Sequence, residues 1–435
     1  MPLLLAFSLS LKLPGGFERR EAVQPDPSVT SNWVPIVRSP GCRTVRRRLP
    51  GLSDQEPSQL SAWPRAMDLH PVCYPEPRSG CPSGLSLHHS RHESTRRRHL
   101  QSRPEGVELV RELARSFWYS AVLRAGIKLG AFSLLDDRSL TPVEIARELP
   151  GDEGFVRAFL EACEALGLVE MQGEKFTNSA LASNYLVMGK EQYVGDHALH
   201  HTNAWMSWGS LDELISHGKT LPPFETGFVD VDTYWADYML GQHNRAMTGQ
   251  ARHLVDNVDL AGMRRLVDLG GGAGSYSIAL CQANPMLHSV VVDRAEPLVI
   301  AARLVAEYDL TDRIELLEGD FFETDLGDGY DVALVSGVVL IKSEQECRQL
   351  FELAERVLRP SGMIIVQDYL RIDRTPDQAR VDALENLYVK VVFDPKAANR
   401  GGEEVAGWLR GSGFQDTRLI PLPTQLALIT ATKPS

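Results

Sequence analysis

The run Leu266–Ser277, LVDLGGGAGSYS, constrains this chain more than any other stretch. It reads as a β-strand that ends in an acidic residue, then a glycine turn, then the start of a helix. Gly270, Gly271, Gly272 and Gly274 permit a tight turn with positive φ and let a ligand approach the main chain closely. Asp268, just before the turn, can accept hydrogen bonds from a cation or from hydroxyls. That pattern suits S-adenosylmethionine (SAM), which has an ammonium group, a ribose and no phosphates.

The partners of the glycine turn follow in order. Tyr276 to Ala283 reads as a helix, and HSVVVD as a second strand closed by Asp293, 25 residues after Asp268. An acidic residue at that strand end is the usual ligand of ribose hydroxyls in nucleoside-binding α/β folds. A third strand runs into Gly319, Asp320, Phe321 and Phe322, where a carboxylate beside aromatic rings can hold an adenine amino group and stack on its ring. A fourth strand ends at Ser336. The candidate cofactor set is Asp268, Gly270, Gly272, Gly274, Asp293, Asp320, Phe321 and Ser336. One glycine turn alone would be a weak signal; the ordered series is specific.

From Arg264 onward strands alternate with helices, at 265–269, 289–293, 313–317, 330–336, 362–368 and a final pair near 415–432. Alternation of this kind implies a mostly parallel sheet with helices on both faces and a ligand at the carboxyl ends of the strands. Before it, residues 106–130 carry Val107, Val110, Leu113, Phe117, Val122, Ile127 and Leu129 at helical spacing. Thr141 then caps a helix opened by Pro142, a second helix follows, and MQGEKFTNS reads as a small β-wing. The order is that of a winged helix-turn-helix. Its second helix, however, sets Asp152, Glu153, Glu161 and Glu164 against one Arg157, the wrong sign for phosphate contacts. No nucleic-acid partner is expected; the module is read as pairing with a second copy of itself. Residues 186–260 read as helical and aromatic-rich, with Tyr193, Trp205, Trp208, Phe224, Tyr234, Trp235 and Tyr238 beside His197, His200, His201, His217 and His243.

The first 103 residues differ from the rest, with 15 Lys and Arg against 8 Asp and Glu in a chain whose net charge is −12. They lack sustained periodicity and are read as a disordered Arg-rich extension, an early start codon (Met67 being a later one) being weighed against an organelle-targeting segment. No run of 18 apolar residues exists, so no membrane span is expected, and the chain is placed in the cytoplasm. The six cysteines include no C-x-x-C pair, so neither a metal cage nor a disulfide framework is implied. The expected divisions are 1–103, a winged-helix dimerisation domain at 104–190, a helical pocket region at 191–260 and a Rossmann-like domain at 261–435.

Over residues 105–433 the chain resembles the SAM-dependent O-methyltransferases that include the plant caffeate and flavonoid enzymes and bacterial relatives. The resemblance rests on the winged-helix module, DLGGGAG, the Asp293 strand end, GDFF, LRPSGMIIVQD and GGEEVAGWLRGSGF. It implies an α/β Rossmann-like SAM-binding domain preceded by a mainly helical dimerisation domain, a homodimer, and a small-molecule acceptor. It also implies cofactor contacts from Gly270, Gly272, Asp293, Asp320 and Phe321. One departure stands out. The family places a catalytic histidine after the fourth strand, and matching SGVVLIKSEQEC at Ser343 and Cys347 puts Leu340 there. Asp368 and Glu404 fall where the family's two supporting carboxylates stand.

A phenol has a reference pKa near ~10, and a general base typically contributes ~10²–10⁴-fold to its reaction. Leucine contributes none. The reading this favours is methylation of sulfur, in a thioether or thiol acid, by alignment and water exclusion. A branch related to the family makes dimethylsulfoniopropionate precursors from such an acid. The alternative is O-methylation with Asp368, Glu404, His200, His201 or His243 as base; a non-catalytic SAM-binding role is a further alternative. Candidate pocket residues are Trp205, Trp208, Tyr238, His201, His243 and Leu340, and Arg245, Lys390 and Arg400 are candidate partners of an acidic acceptor.

Overall fold

The computed structural model describes residues 104–149, 151–372 and 375–435. The readings of the first 103 residues, Met67 and three of the cysteines included, fall outside them. The chain enters through α1 (Val107–Arg115) and α2 (Phe117–Lys128). The sequence pattern predicts one continuous helix here. The break falls at Ser116, whose hydroxyl donates back to the Leu113 carbonyl at 2.8 Å and competes with the helical ladder.

Helix α3 (Pro142–Glu148) starts where Thr141 predicts it. Thr141 and Glu144 form a reciprocal capping box around the first turn, with Pro142 at the first helical position. Helix α4 (Glu153–Ala165) is capped by Asp152. It leads into the hairpin of β1 (Val169–Gln172) and β2 (Lys175–Asn178), the short wing expected. Phe132, Leu135, Ile145, Leu160 and Phe176, each at most 1% exposed, fuse these pieces into one core. Each such side chain contributes ~1.5–3 kcal/mol by leaving water.

Helices α5 (Gly195–Asn203), α6 (Val231–Arg245) and α7 (Ala251–Asn257) then bridge to the α/β region. That region runs β3 (Arg265–Leu269), α8 (Ser275–Ala283), β4 (His288–Asp293), α9 (Ala295–Glu307), β5 (Ile314–Glu318), β6 (Tyr330–Ser336) and α10 (Glu344–Val357). It continues through β7 (Leu358–Asp368), α11 (Pro376–Val392), α12 (Gly402–Gly411), β8 (Gln415–Pro421) and β9 (Ala427–Thr432). The seven-stranded sheet has the order β5-β4-β3-β6-β7-β9-β8. The first five of these pair in parallel; β9 runs antiparallel to both β7 and β8.

Period-two alternation sends Leu266, Val332, Leu334 and Ile365 to one core and Val267, Ala333, Val335 and Ile364 to the other. Both sheet faces are covered, which is why these strands read as near-continuous apolar runs. The strand order reverses at β3, so β3 and β6 diverge into opposite halves of the sheet. Their carboxyl ends frame the crevice where such folds bind ligands. Among the described residues no helix is long and apolar enough to cross a membrane.

One surface lacks a cover. Val110, Leu113, Phe117 and Trp118 on α1 and α2 are 66%, 64%, 55% and 53% exposed. A contiguous apolar stripe of this kind marks an association surface and fits the expected self-pairing. A Leu113→Glu/Phe117→Glu double variant is expected to sediment as a monomer while keeping its far-ultraviolet circular dichroism; an unchanged dimer would locate the contact elsewhere.

Candidate functional site

The glycine turn after β3 has the positive φ values the sequence requires, 75° at Gly270, 56° at Gly272 and 70° at Gly274. Space is as demanding as conformation. A Cβ on Gly270 would stand 2.9 Å from Val338 Cγ2, and one on Gly271 would stand 2.6 Å from Asp268 Cγ. The Gly272 amide donates to Asp293 Oδ2 at 2.8 Å, and the Arg294 amide donates to Oδ1 at 2.8 Å. Phe321 lies against the Gly270 position and packs edge-on with Phe322, ring centroids 4.7 Å apart. The exposed Asp320 accepts from the Phe322 amide at 2.9 Å. The ends of β3, β4 and β5 therefore converge with the loop after β6, as the sequence spacing anticipates.

Asp268 is 1% exposed. Its Oδ2 accepts from Ser277 Oγ at 2.6 Å, while Oδ1 is buried without a hydrogen-bond partner. Burial pushes its pKa from 3.8 up to about 7, with the nearby Asp293 adding to the rise and Ser277 opposing it. An orphaned buried acceptor beside a bare glycine cradle fits a ligand that brings its own cation. Ser336, the remaining cofactor candidate, accepts from Gln367 Nε2 at 3.0 Å and lies beside the Tyr276 hydroxyl. Met239 of α6 roofs the cradle, its sulfur 3.5 Å from a Cβ built on Gly272.

Beyond that roof α5, α6 and α11 bring together a cluster of aromatic and histidine rings. His200 stacks on Tyr238 with centroids 4.5 Å apart and shares a 2.9 Å hydrogen bond with the Tyr388 hydroxyl. His201 stands 4.5 Å from His197 and 5.3 Å from the Tyr388 ring. Burial, then the Arg245 charge, lowers the His201 pKa to about 4, and burial and its charged neighbours take His197 to about 3. Both rings are neutral at pH 7. Arg245 itself lies over the Tyr369 ring, its Cζ 5.2 Å from the centroid. Tyr369, Tyr388 and Glu385 were not singled out from the sequence. Tyr388 sits among Val389, Val391 and Val392 on α11, so it reads as core.

Other candidates stand elsewhere. His243 has both ring nitrogens engaged, with Ser275 Oγ at 3.0 Å and the Tyr308 hydroxyl at 3.3 Å. Trp205 packs edge-on against Phe117, centroids 6.0 Å apart, on the side of the uncovered stripe. Trp208 packs against the core cluster that also holds Leu340. Asp368, 1% exposed, accepts from the amides of Val339 at 2.8 Å, Leu340 at 3.4 Å and Tyr369 at 2.8 Å. Burial raises its pKa to about 7 against those donors. Both oxygens are committed to main chain, so the carboxylate fixes a turn rather than facing a substrate. Leu340, 7% exposed, lies in that turn. Glu404 is exposed at the first turn of α12, where it accepts from the Gly401 amide at 3.0 Å.

Two family models match. One describes an O-methyltransferase domain, over residues 210–415, and the other an O-methyltransferase dimerisation domain, over residues 111–188. The chain belongs to the SAM-dependent O-methyltransferase family. Among its relatives is a 3-hydroxy-5-methyl-1-naphthoate 3-O-methyltransferase of Streptomyces sahachiroi, 28% identical over 72% of this chain and 90% of that protein. The tetracenomycin polyketide synthesis 8-O-methyl transferase TcmO of Streptomyces glaucescens is 28% identical over 75% of this chain and 96% of its own. In fold, human N-acetylserotonin methyltransferase in complex with SAM superposes with a TM-score of 0.68, at 23% identity, over 77% of this chain and 99% of that one. This chain is thus a SAM-dependent methyltransferase of small molecules, and its matched dimerisation domain supports the expected homodimer.

The buried carboxyl of Asp268 gives this methyltransferase a test with two readouts. Because its folded pKa lies above the unfolded one, ionisation costs stability progressively as pH rises from about 4 to about 7. Asp268→Asn removes that cost. The unliganded variant is expected to melt above the parent at pH 8, with the gain shrinking towards pH 4. Its SAM affinity should fall by at least ~10-fold, since a bond to a charged group is lost. Calorimetry and thermal melts check the two halves.

Proposed function

We propose that this enzyme transfers the SAM methyl to a hydroxyl oxygen of a hydroxylated aromatic small molecule, with His201 taking up the proton. The observation that supports the reading is the cluster of aromatic and histidine rings beyond the glycine cradle, His201, Tyr238 and Tyr388 among them. Flat rings of this kind hold an aromatic acceptor by stacking and exclude water. The naphthoate and tetracenomycin relatives, matched over nine-tenths or more of their length, are both named for methyl transfer to oxygen. That agreement favours oxygen over the sulfur acceptor that the absent histidine suggested.

SAM supplies the electrophilic methyl. The cradle of Gly270, Gly272, Asp268 and Asp293 holds and orients the donor in this reading, with Phe321 against the adenine. The ring cluster presents the acceptor hydroxyl in this reading. The His201 ring is neutral at pH 7, so it can accept a proton. With its low pKa it is a weak base, and its contribution falls at the lower end of the ~10²–10⁴ range. Sulfur remains the second reading, favoured by one observation: Leu340, buried in the turn after β6, brings no proton acceptor there.

Labelled SAM offered with hydroxylated aromatics, thioether acids and thiols decides between them. Oxygen methylation of the aromatics is expected; turnover confined to sulfur overturns the reading. His201→Ala should lower kcat on a phenolic acceptor by ~10²-fold with KM little changed. Leu340→His should raise the rate on the same acceptor.

A further inference from the structure

Arg245 closes α6, and the chain continues as a π-helical segment, Ala246–Gln250, instead of a regular helix. Gly249 within it has φ 144°, a conformation that suits glycine alone. Insertions of this type recur at functional sites. Here the segment brings Gln250 to the Tyr276 hydroxyl at 2.9 Å and leaves the Arg245 guanidinium over Tyr369. Its Nε is buried without a hydrogen-bond partner. Among the described residues Arg245 forms no ion pair. Burial opposes its charge, while Tyr369, Tyr276, Glu385 and Tyr238 outweigh that and hold its pKa above the ordinary value. The charge is thus already favoured in the free protein; what stands open is the buried Nε donor, which an acceptor oxygen of a bound group would satisfy.

The two other cations considered from the sequence are already engaged. Lys390 Nζ donates to the Pro395 and Ala397 carbonyls at 2.9 and 2.7 Å. Arg400 Nη2 donates to the Lys342 and Lys396 carbonyls at 2.9 and 3.1 Å. Arg400 also has a buried Nε without a partner, but main-chain carbonyls hold its Nη2; Arg245 is the one of the three whose side chain is not held by such carbonyls, and its planar fork matches a carboxylate.

We propose that Arg245 binds a carboxylate carried by the acceptor, so that the substrates of this enzyme are acidic small molecules. The proposal deepens the O-methylation reading, on which its hydroxylated class of substrate rests. The donor also carries a carboxylate, and the test separates the two sources.

Protein saturated with S-adenosylhomocysteine is titrated with 3-hydroxy-1-naphthoate and with its methyl ester, for the parent, Arg245→Gln and Arg245→Lys. The parent should prefer the acid by at least ~10-fold. The preference should vanish in the glutamine variant and return in part with lysine, while affinity for S-adenosylhomocysteine stays level. Equal binding of acid and ester by the parent overturns the proposal, and that comparison needs no variant to fold. A glutamine variant that loses affinity for S-adenosylhomocysteine but keeps the acid preference also overturns it, assigning the guanidinium to the donor. A parallel titration uses 3-(methylthio)propionate and its methyl ester. An Arg245-dependent acid preference confined to that pair keeps the carboxylate anchor and removes the oxygen reading. Oxygen methylation of hydroxy acid and ester alike does the reverse.

Discussion

The bond from the Gly272 amide to the Asp293 carboxylate ties the end of β3 to the end of β4. Much of the site depends on it. Parallel pairing sets Asp268 opposite Val291 and Leu269 opposite Val292, and the Gly270 amide prolongs that register by donating to the Val292 carbonyl at 2.9 Å. The main chain then turns through three left-handed glycines, and at Gly270 and Gly271 no side chain could fit against Val338, Asp268 and Val291. The helix that follows is thereby aimed with Ser277 on Asp268 and Tyr276 towards Gln250. Cradle and roof are both referenced to one turn.

The α/β half was legible in the sequence because its signals are local. Glycines mark the turn, acidic residues mark the strand ends, and buried strands are runs of valine, leucine and isoleucine. Strand limits differ by a few residues, chiefly in β7, which begins at Leu358 and not at 362. The cradle was readable for the same reason. The ring cluster was less so. His201 and Tyr238 stood out as polar or aromatic residues in a helical region, but Tyr369 and Tyr388 lie in apolar stretches whose inward and pocket-facing positions look alike. Arg245 was noticed only as a cation, since the π-helical segment that leaves it unpaired has no sequence mark beyond Gly249. Glu404 shows a different limit. Its place came from resemblance, and a glutamate three residues after Gly401 serves helix capping on the surface.

The interior carries an unusual electrostatic load. Four histidines, His197, His200, His201 and His243, are kept neutral chiefly by burial. Their folded pKa values lie below the unfolded value, so they cost stability as pH falls from about 6.5 to about 4. Asp268 and Asp368 act in the opposite sense over much of that range. The site is assembled from groups that a purely apolar interior would stabilise better, which is common where binding rather than packing sets the residue.

The turn after β6 has a consequence of its own. Asp368 grips position 340 by its main-chain nitrogen, and the Ala398 amide grips the same residue's carbonyl at 2.8 Å. The side chain plays no part in either grip. Position 340 is therefore a socket: its backbone is anchored whatever side chain it bears. A change of side chain there would leave both grips in place and fall on the apolar cluster that Leu340 shares with Met239.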